Sequence, residues 1–247
     1  MEPVFRQQFT VTEVFTDRYQ RLTPASIFYF AQEVAGKHCL QLSVDYETLQ
    51  ERHMFWAVIR QRVQISRLPM LGEEITVETW PMPTTRVAYP RSTIGYDAQG
   101  NELFRSISLW VLMDTESRNM ILPGKSGVPV DGVLRGLEIA APNSLTLKDL
   151  PNVDLRRVHF SELDRNGHMN NTRYLDWIAD LLPSAFHQDH TLQEFTICYL
   201  SEAIENEEIS LQWQLEESGI LQVTAHRVRT NIHQNKQQIF TAQALFI

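Results

Sequence analysis

The chain is poor in the residues that several functional classes depend on. Two of its 247 residues are cysteine, Cys39 and Cys198. That is too few for a disulfide framework or for a zinc site built on thiolates, so both are expected to be reduced. Long apolar runs are missing. No stretch approaches the roughly 20 residues of a membrane-spanning helix, and the opening MEPVFRQQFTVTEVF alternates like a strand instead of setting a basic head before an apolar core. The expectation is a cytoplasmic protein without a membrane partner. A basic excess is also absent. The net charge of −8 argues against nucleic acid, because neutralising phosphates takes a concentrated basic surface. Neither G-x-G-x-x-G nor G-x-x-x-x-G-K-S/T occurs, and there is no G-x-S-x-G elbow, which sets aside nucleotide cofactors and serine-hydrolase chemistry. His187 and His190, in the polar stretch HQDH, stand at a metal-like spacing, but no third ligand accompanies them. Neither metal nor cofactor is expected.

What remains is ordinary globular composition, 43% apolar and 21% charged, enough to bury a sizeable core. Residues 115–152 hold four of the eleven prolines and four of the ten glycines without sustained periodicity, which marks a linker. The same order of elements precedes and follows it: an opening strand, an apolar helix, then strands between turn signals. In the first half Thr23 and Pro24 open the helical run PASIFYFAQEVAGKHC, and strands are predicted at 55–65, 73–80, 86–96 and 102–113. In the second half VHF (158–160) leads into a helix near 170–182 and strands near 192–200, 207–216, 220–230 and 237–247. GEEITVETW (72–80) is echoed by NEEISLQW (206–213), which suggests duplication of one unit. A helix followed by an antiparallel meander is an α+β arrangement in which the sheet must wrap the apolar helix. The expected domains are 1–128 and 153–247, joined by 129–152. Charge is uneven between them, with 13 Lys/Arg against 14 Asp/Glu in residues 1–128 and 9 against 16 in 129–247.

The stretch richest in chemistry is FSELDRNGHMNNTRYLDWIAD, residues 160–180. Asp164, Asn166 and His168 alternate around Gly167, and Asn170 and Asn171 stand where they can cap the following helix. A helix N-terminus offers N–H donors and a positive dipole end to an oxyanion. A nearby histidine can move a proton, and an asparagine amide can orient water or polarise a carbonyl. Asp, Asn and Gly gather in turns for structural reasons too, so the indication lies in the whole string rather than in any one residue.

That string, D-x-N-G-H-M-N-N-x-x-Y-x-x-W, resembles the active-site motif of the acyl-ACP thioesterases, plant plastid enzymes and bacterial relatives with two hotdog domains fused in one chain. RLTPASIFYFAQEVAG is similar to that family's first hotdog helix, and FWAVIRQRVQISRLPMLGEEITVETWP to the strand pair that follows a tryptophan. The resemblance covers most of the chain. It implies two tandem hotdog domains, each a long helix wrapped by antiparallel sheet, and hydrolysis of fatty acyl-ACP, with Asp164, Asn166 and His168 as site residues. The family's later Y-x-x-E-C pattern reads here Tyr199-Leu200-Ser201-Glu202-Ala203. The glutamate is kept and the cysteine is alanine, while Cys198 sits four residues before Glu202.

An obligatory cysteine nucleophile is therefore not expected. A thioester is already activated and needs a positioned water, a base and an oxyanion partner. His168 and Glu202 would share activation of the water, Asn166 would orient water or carbonyl, and Asp164 would hold the loop. The implied partners are acyl carrier protein, an acidic protein substrate, and its fatty acyl chain; a homodimer is neither required nor excluded. Arg60, Arg62, Arg67, Arg86 and Arg91 in the N-terminal half are candidates for steering the carrier. Trp56, Phe28, Tyr29 and Phe30 read as core, or as walls of an acyl tunnel. Rival readings are an acyl-CoA or aromatic acyl-CoA thioesterase, a hotdog dehydratase, and a non-catalytic acyl-ligand binding protein.

Overall fold

The computed structural model describes residues 3–147, 149–228 and 237–247. The chain separates into two compact units, Met1–Pro142 and Asn143–Ile247.

In the first unit β1 (Phe5–Thr10) leads to α1 (Pro24–Gln41) and the short α2 (Tyr46–Gln50). The strands β2 (Met54–Ile65), β3 (Glu74–Pro81), β4 (Tyr89–Tyr96) and β5 (Glu102–Asp114) follow, then β6 (Met120–Ile121) and the turn-length α3 (Pro123–Ser126). Thr23 caps α1, its Oγ1 accepting the Ser26 N–H at 3.1 Å, and Pro24 supplies a preset φ where no donor is lost. Ile27, Phe28, Phe30, Ala31, Val34 and Ala35 are buried, and the Phe30 ring meets Phe9 at 4.5 Å and Phe15 at 4.8 Å. Phe28 and Phe30 are thus core, whereas Tyr29 is exposed and Trp56 is half-buried, donating Nε1–H to the Val44 carbonyl. Residues 129–142, linker-like in composition, lie against this unit. Val133 N–H donates to Pro81 O, Trp80 Nε1–H to Glu138, and Arg135 to the buried Glu78. A Cβ at Gly132 would fall 2.0 Å from the Met82 backbone, so the approach there requires glycine.

In the second unit β7 (Asn152–Arg157) is followed by α4 (Arg173–Ala179), α5 (Ser184–Asp189), β8 (Leu192–Tyr199), β9 (Glu208–Leu215), β10 (Ile220–Arg227) and β11 (Gln238–Phe246). The helix predicted near 170–182 is shorter, Arg173–Ala179, and α5 beyond it was not predicted. Pro183, extended at ψ 156°, stands as the N-cap of α5, where its missing amide hydrogen costs no helical bond. The HQDH histidines are on and just past α5, not in a loop. His187 Nε2 is 2.9 Å from Ala179 O and the His190 ring stacks on Phe186 at 4.0 Å, so both have structural partners. The strand expected over 220–230 ends at Arg227, and residues 229–230 of that prediction lie outside the described residues.

Sheet order reveals the repeat. In the first unit the strands run β1-β3-β4-β5-β2, in the second β7-β9-β10-β11-β8, all antiparallel neighbours. Numbered within each unit, both are 1-3-4-5-2, with the helical segment between the first two strands. The sequence echo falls on the third strand of each, and the residue opening it is left-handed in both, Gly72 at φ 86° and Asn206 at φ 66°, conformations that glycine and asparagine tolerate. Among the described residues no helix is long and apolar enough to cross a membrane.

Candidate active site

The site is assembled in the second unit from the segment before α4 and the turn after β8. Asp164 organises a tight loop. Its Oδ1 accepts the backbone N–H groups of Asn166 (2.8 Å) and His168 (3.2 Å), its own N–H donates to His168 O, and Gly167 N–H donates back to Asp164 O. The loop closes only because Gly167 takes φ 76°. His168 then pairs with Ile204 in an antiparallel bridge and Met169 N–H donates to Ala203 O at 2.8 Å. That pairing sets the histidine beside the turn that carries Glu202: His168 Nε2 lies 3.3 Å from Glu202 Oε2, the two side chains 19% and 43% exposed. Of the four sequence candidates, the structure joins His168 to Glu202 directly and Asp164 to the main chain of Asn166 and His168. Asn166 is half-buried on the same loop.

The frame extends into the core. Glu162 accepts Trp177 Nε1–H at 2.6 Å and His159 N–H at 2.8 Å, tying the loop to α4. Tyr199 OH donates to Asn171 O at 3.0 Å. The rings of Tyr174, Tyr199 and Phe240 pack edge to face at 5.1–5.6 Å. Burial raises the pKa of both tyrosines, opposed at Tyr174 by a bond from the Ala203 backbone and at Tyr199 by the bond to Asn171, so they are neutral supports.

Two expectations change. The helix N-terminus was expected to offer donors to an oxyanion, and four of the amides leading into it already have partners. Met169 N–H goes to Ala203 O, Asn170 to Glu162 O, Thr172 to Asn170 Oδ1 and Arg173 to Asn170 O. Asn170 therefore caps the turn into α4. Among the proposed steering arginines, Arg91 is fully enclosed, bonded to His38 Nδ1 (3.2 Å) and Thr79 (3.3 Å) with Cys39 Sγ at 3.7 Å. Burial pushes the pKa of the Arg91 guanidinium down and that of the Cys39 thiol up, in both cases against the charged form. Arg67 is held by Glu73 at 2.7 Å, while Arg86 is exposed. Cys198, 1% exposed, points its thiol toward Asn143 O. Ala203 is also fully buried.

The first unit holds the same loop without its chemistry. Asp17 Oδ1 accepts Tyr19 N–H (2.8 Å) and Arg21 N–H (3.0 Å). Asp17 N–H donates to Arg21 O, Gln20 is left-handed at φ 63°, Arg21 bridges Met70, and Leu22 N–H donates to Pro69 O. Bond for bond, Asp17-Arg18-Tyr19-Gln20-Arg21-Leu22 overlays Asp164-Arg165-Asn166-Gly167-His168-Met169. Tyr19 stands for Asn166, Arg21 for His168 and Leu68 for Glu202. Arg21 instead pairs with Asp17 at 3.0 Å and covers the Tyr19 ring at 4.9 Å. The shared Asp-Arg was in the sequence and went unread because only six residues carry it.

The repeat separates scaffold from chemistry. Asp17→Ala and Asp164→Ala should destabilise the protein comparably, by about 1–3 kcal/mol each, the cost of stranding amides that bonded a charged acceptor. Catalysis should fall at least about tenfold only in Asp164→Ala, because a site group moved by about 1 Å loses much of its rate. Urea unfolding beside thiol-release assays checks both; equal activity loss in the two folded variants would contradict the assignment.

Among the described residues no group of three or more His, Cys, Asp or Glu is placed to hold a metal. Comparison with known proteins agrees with the fold. The profile of the acyl-ACP thioesterase N-terminal domain matches residues 2–122 and that of the C-terminal domain residues 148–244. An oleoyl-acyl carrier protein thioesterase of Arabidopsis thaliana is 25% identical over 219 residues, 80% of this chain and 60% of the relative. A dodecanoyl-[acyl-carrier-protein] hydrolase of Cinnamomum camphora is 27% identical over 216 residues, 81% and 56%. The chain thus spans little more than half the length of these relatives. In three dimensions it is similar to an acyl-ACP thioesterase of Bacteroides thetaiotaomicron (TM-score 0.86, 21% identity, 99% of this chain and 98% of that one). It is also similar to a 12:0-ACP thioesterase of Umbellularia californica (0.83, 21%, 100% and 98%). These likenesses establish an α+β fold of tandem hotdog units.

Proposed function

The chain belongs to the acyl-ACP thioesterase family, and from that premise we propose that it hydrolyses fatty acyl-[acyl carrier protein] to fatty acid and carrier thiol, with water activated between His168 and Glu202. The observation that carries this reading is the 3.3 Å contact of His168 Nε2 with Glu202 Oε2, held in a hydrogen-bonded frame and open to solvent. Water gives a proton to the pair as its oxygen attacks the thioester carbon, so general-base help is delivered where the nucleophile forms. Negative charge grows on the carbonyl oxygen, and the Asn166 amide is the side-chain donor on the same loop that can meet it. The C–S bond then breaks, the acyl carbon leaves as a carboxylic acid, and the departing thiolate takes the proton back from His168. Cysteine has no part in this route. Ala203 stands where the family's cysteine would be, and Cys198 is buried. The curated relatives are chloroplastic by name; a cytoplasmic place for this chain is a proposal that cell fractionation tests.

Thiol release from palmitoyl-, oleoyl- and dodecanoyl-carrier protein and from the matching acyl-CoAs tests the activity. Turnover of the carrier substrates, retained in Cys198→Ser, is the expected result. Turnover of acyl-CoA alone would move the substrate, and none at all would make the protein a binding module. Carrier docking adds a second expectation. If exposed arginines of the first unit such as Arg86 steer an acidic carrier, KM for acyl-ACP should rise with salt as screening shortens to a Debye length of about 3 Å at 1 M, and KM for acyl-CoA should change less. Parallel salt curves would remove the steering.

A further inference from the structure

We infer that Arg227 is a positioning residue for Glu202, acting through the main chain of the turn that carries it; this rests on the reading of His168 and Glu202 given above. Glu202 is nearly half exposed, so its aim at His168 depends on where its backbone is held. Arg227, the last residue of β10, holds it. Its Nη2 donates to the Glu202 carbonyl at 2.7 Å. Its Nε lies 2.8 Å from Glu207 Oε1, an ion pair with both side chains about four-fifths buried, 21% and 19% exposed. Its Nη1 donates to Gln237 Oε1, and Gln237 Nε2 donates to Ser201 Oγ at 2.8 Å. Glu207 in turn accepts the Ile204 N–H through Oε2 at 3.1 Å. One guanidinium therefore sets the carbonyl of Glu202, the side chain of Ser201 and, through Glu207, the amide of Ile204. The planar fork of arginine bonds the Glu202 carbonyl and Gln237 from its two Nη groups while its charge stays paired with Glu207, and lysine cannot reproduce that arrangement. Ile204 is also the bridge partner of His168, so the same clamp sets both ends of the His168–Glu202 contact.

The first unit shows that the clamp belongs to the turn. There Arg67, from the turn itself, donates to Leu68 O at 3.4 Å and to Glu73 Oε1 at 2.7 Å, and Glu73 accepts the Met70 N–H at 2.8 Å. The arginine comes from another position, yet it meets the same carbonyl and the same glutamate. In the first unit the clamped residue is Leu68; in the second it is Glu202.

The test compares full-length wild type, Arg227→Gln, Arg227→Lys, Glu202→Ala and the double variant Arg227→Gln/Glu202→Ala in thiol release from palmitoyl-carrier protein, followed long enough to resolve slow turnover, with thermal melts alongside. Arg227→Gln should lower kcat by about 10–100-fold, the range expected when a reacting group shifts by about 1 Å, with KM changed less than about threefold and partial recovery in Arg227→Lys. In the Glu202→Ala background the same change should cost less than about threefold, since interactions routed through one group are not additive. Wild-type kcat in Arg227→Gln while Glu202→Ala is impaired would overturn the positioning role alone. So would an equal further loss in the Glu202→Ala background, which marks general structural damage. Wild-type activity in Glu202→Ala would overturn the underlying reading and this inference with it. If Arg227→Gln does not fold, Glu207→Gln carries the same expectation with a smaller loss, and an unchanged kcat there overturns it.

Discussion

His168→Ala is expected to lower kcat/KM on acyl-carrier protein by about 10²–10⁴-fold, the usual contribution of a positioned acid–base group, while leaving the fold intact. Three bonds that shape the loop at this residue use its backbone: His168 N–H to Asp164 Oδ1, His168 O from Asp164 N–H, and the bridge to Ile204. Alanine keeps all three. The first unit makes the same case, because Arg21 occupies the equivalent place in a loop of the same geometry. A rate measurement with a thermal melt on one preparation therefore separates chemistry from folding. Near-wild-type turnover in a folded His168→Ala protein would end the base assignment.

Glu202→Ala should fall by a comparable factor, about 10²–10⁴-fold. Its carboxylate faces His168 Nε2 at 3.3 Å, while its main-chain carbonyl is what Arg227 holds, so truncation removes the carboxylate and leaves the turn. Glu202→Gln keeps the shape and loses the negative charge; recovery of most of the rate by Gln would reduce the residue to an orienting role. The double variant His168→Ala/Glu202→Ala should be little worse than either single one, because groups that act as a unit are not additive. Losses that multiply would mean that the two residues serve separate steps.

The HQDH histidines show how little ligand-like spacing says by itself. His187 and His190 stand at ligand-like separation, but they bond the Ala179 and Phe186 carbonyls around α5. Arg91 shows the reverse failure: by residue type it belonged on the surface, and β4 places it among buried neighbours where His38, Cys39 and Thr79 take its donors. Strand alternation fixes which face a residue is on, and only the packing partners decide whether that face is wet. The boundary at Pro183 before α5 was open to reading, since proline disfavours a helical residue before it by local sterics.

Local rules carried much of the molecule. Strand and helix order, the Thr23 cap, the duplication and the D-x-N-G-H string are written in short-range patterns, because periodicity, turn conformation and capping depend on neighbours a few residues apart. The lost cysteine was equally plain, as a matter of identity at one position. Sequence alone therefore determined the fold class and singled out the segment proposed as the site. The tertiary structure decided what that segment meets. Glu202 comes against His168 through the bridge to Ile204, and Arg227, 25 residues beyond Glu202, returns along β10 to hold its carbonyl. Sheet pairing joins residues whose separation along the chain leaves no periodic trace, and it also placed Asp17 and Asp164 in equivalent loops, so that one reads as scaffold and the other as scaffold for a site.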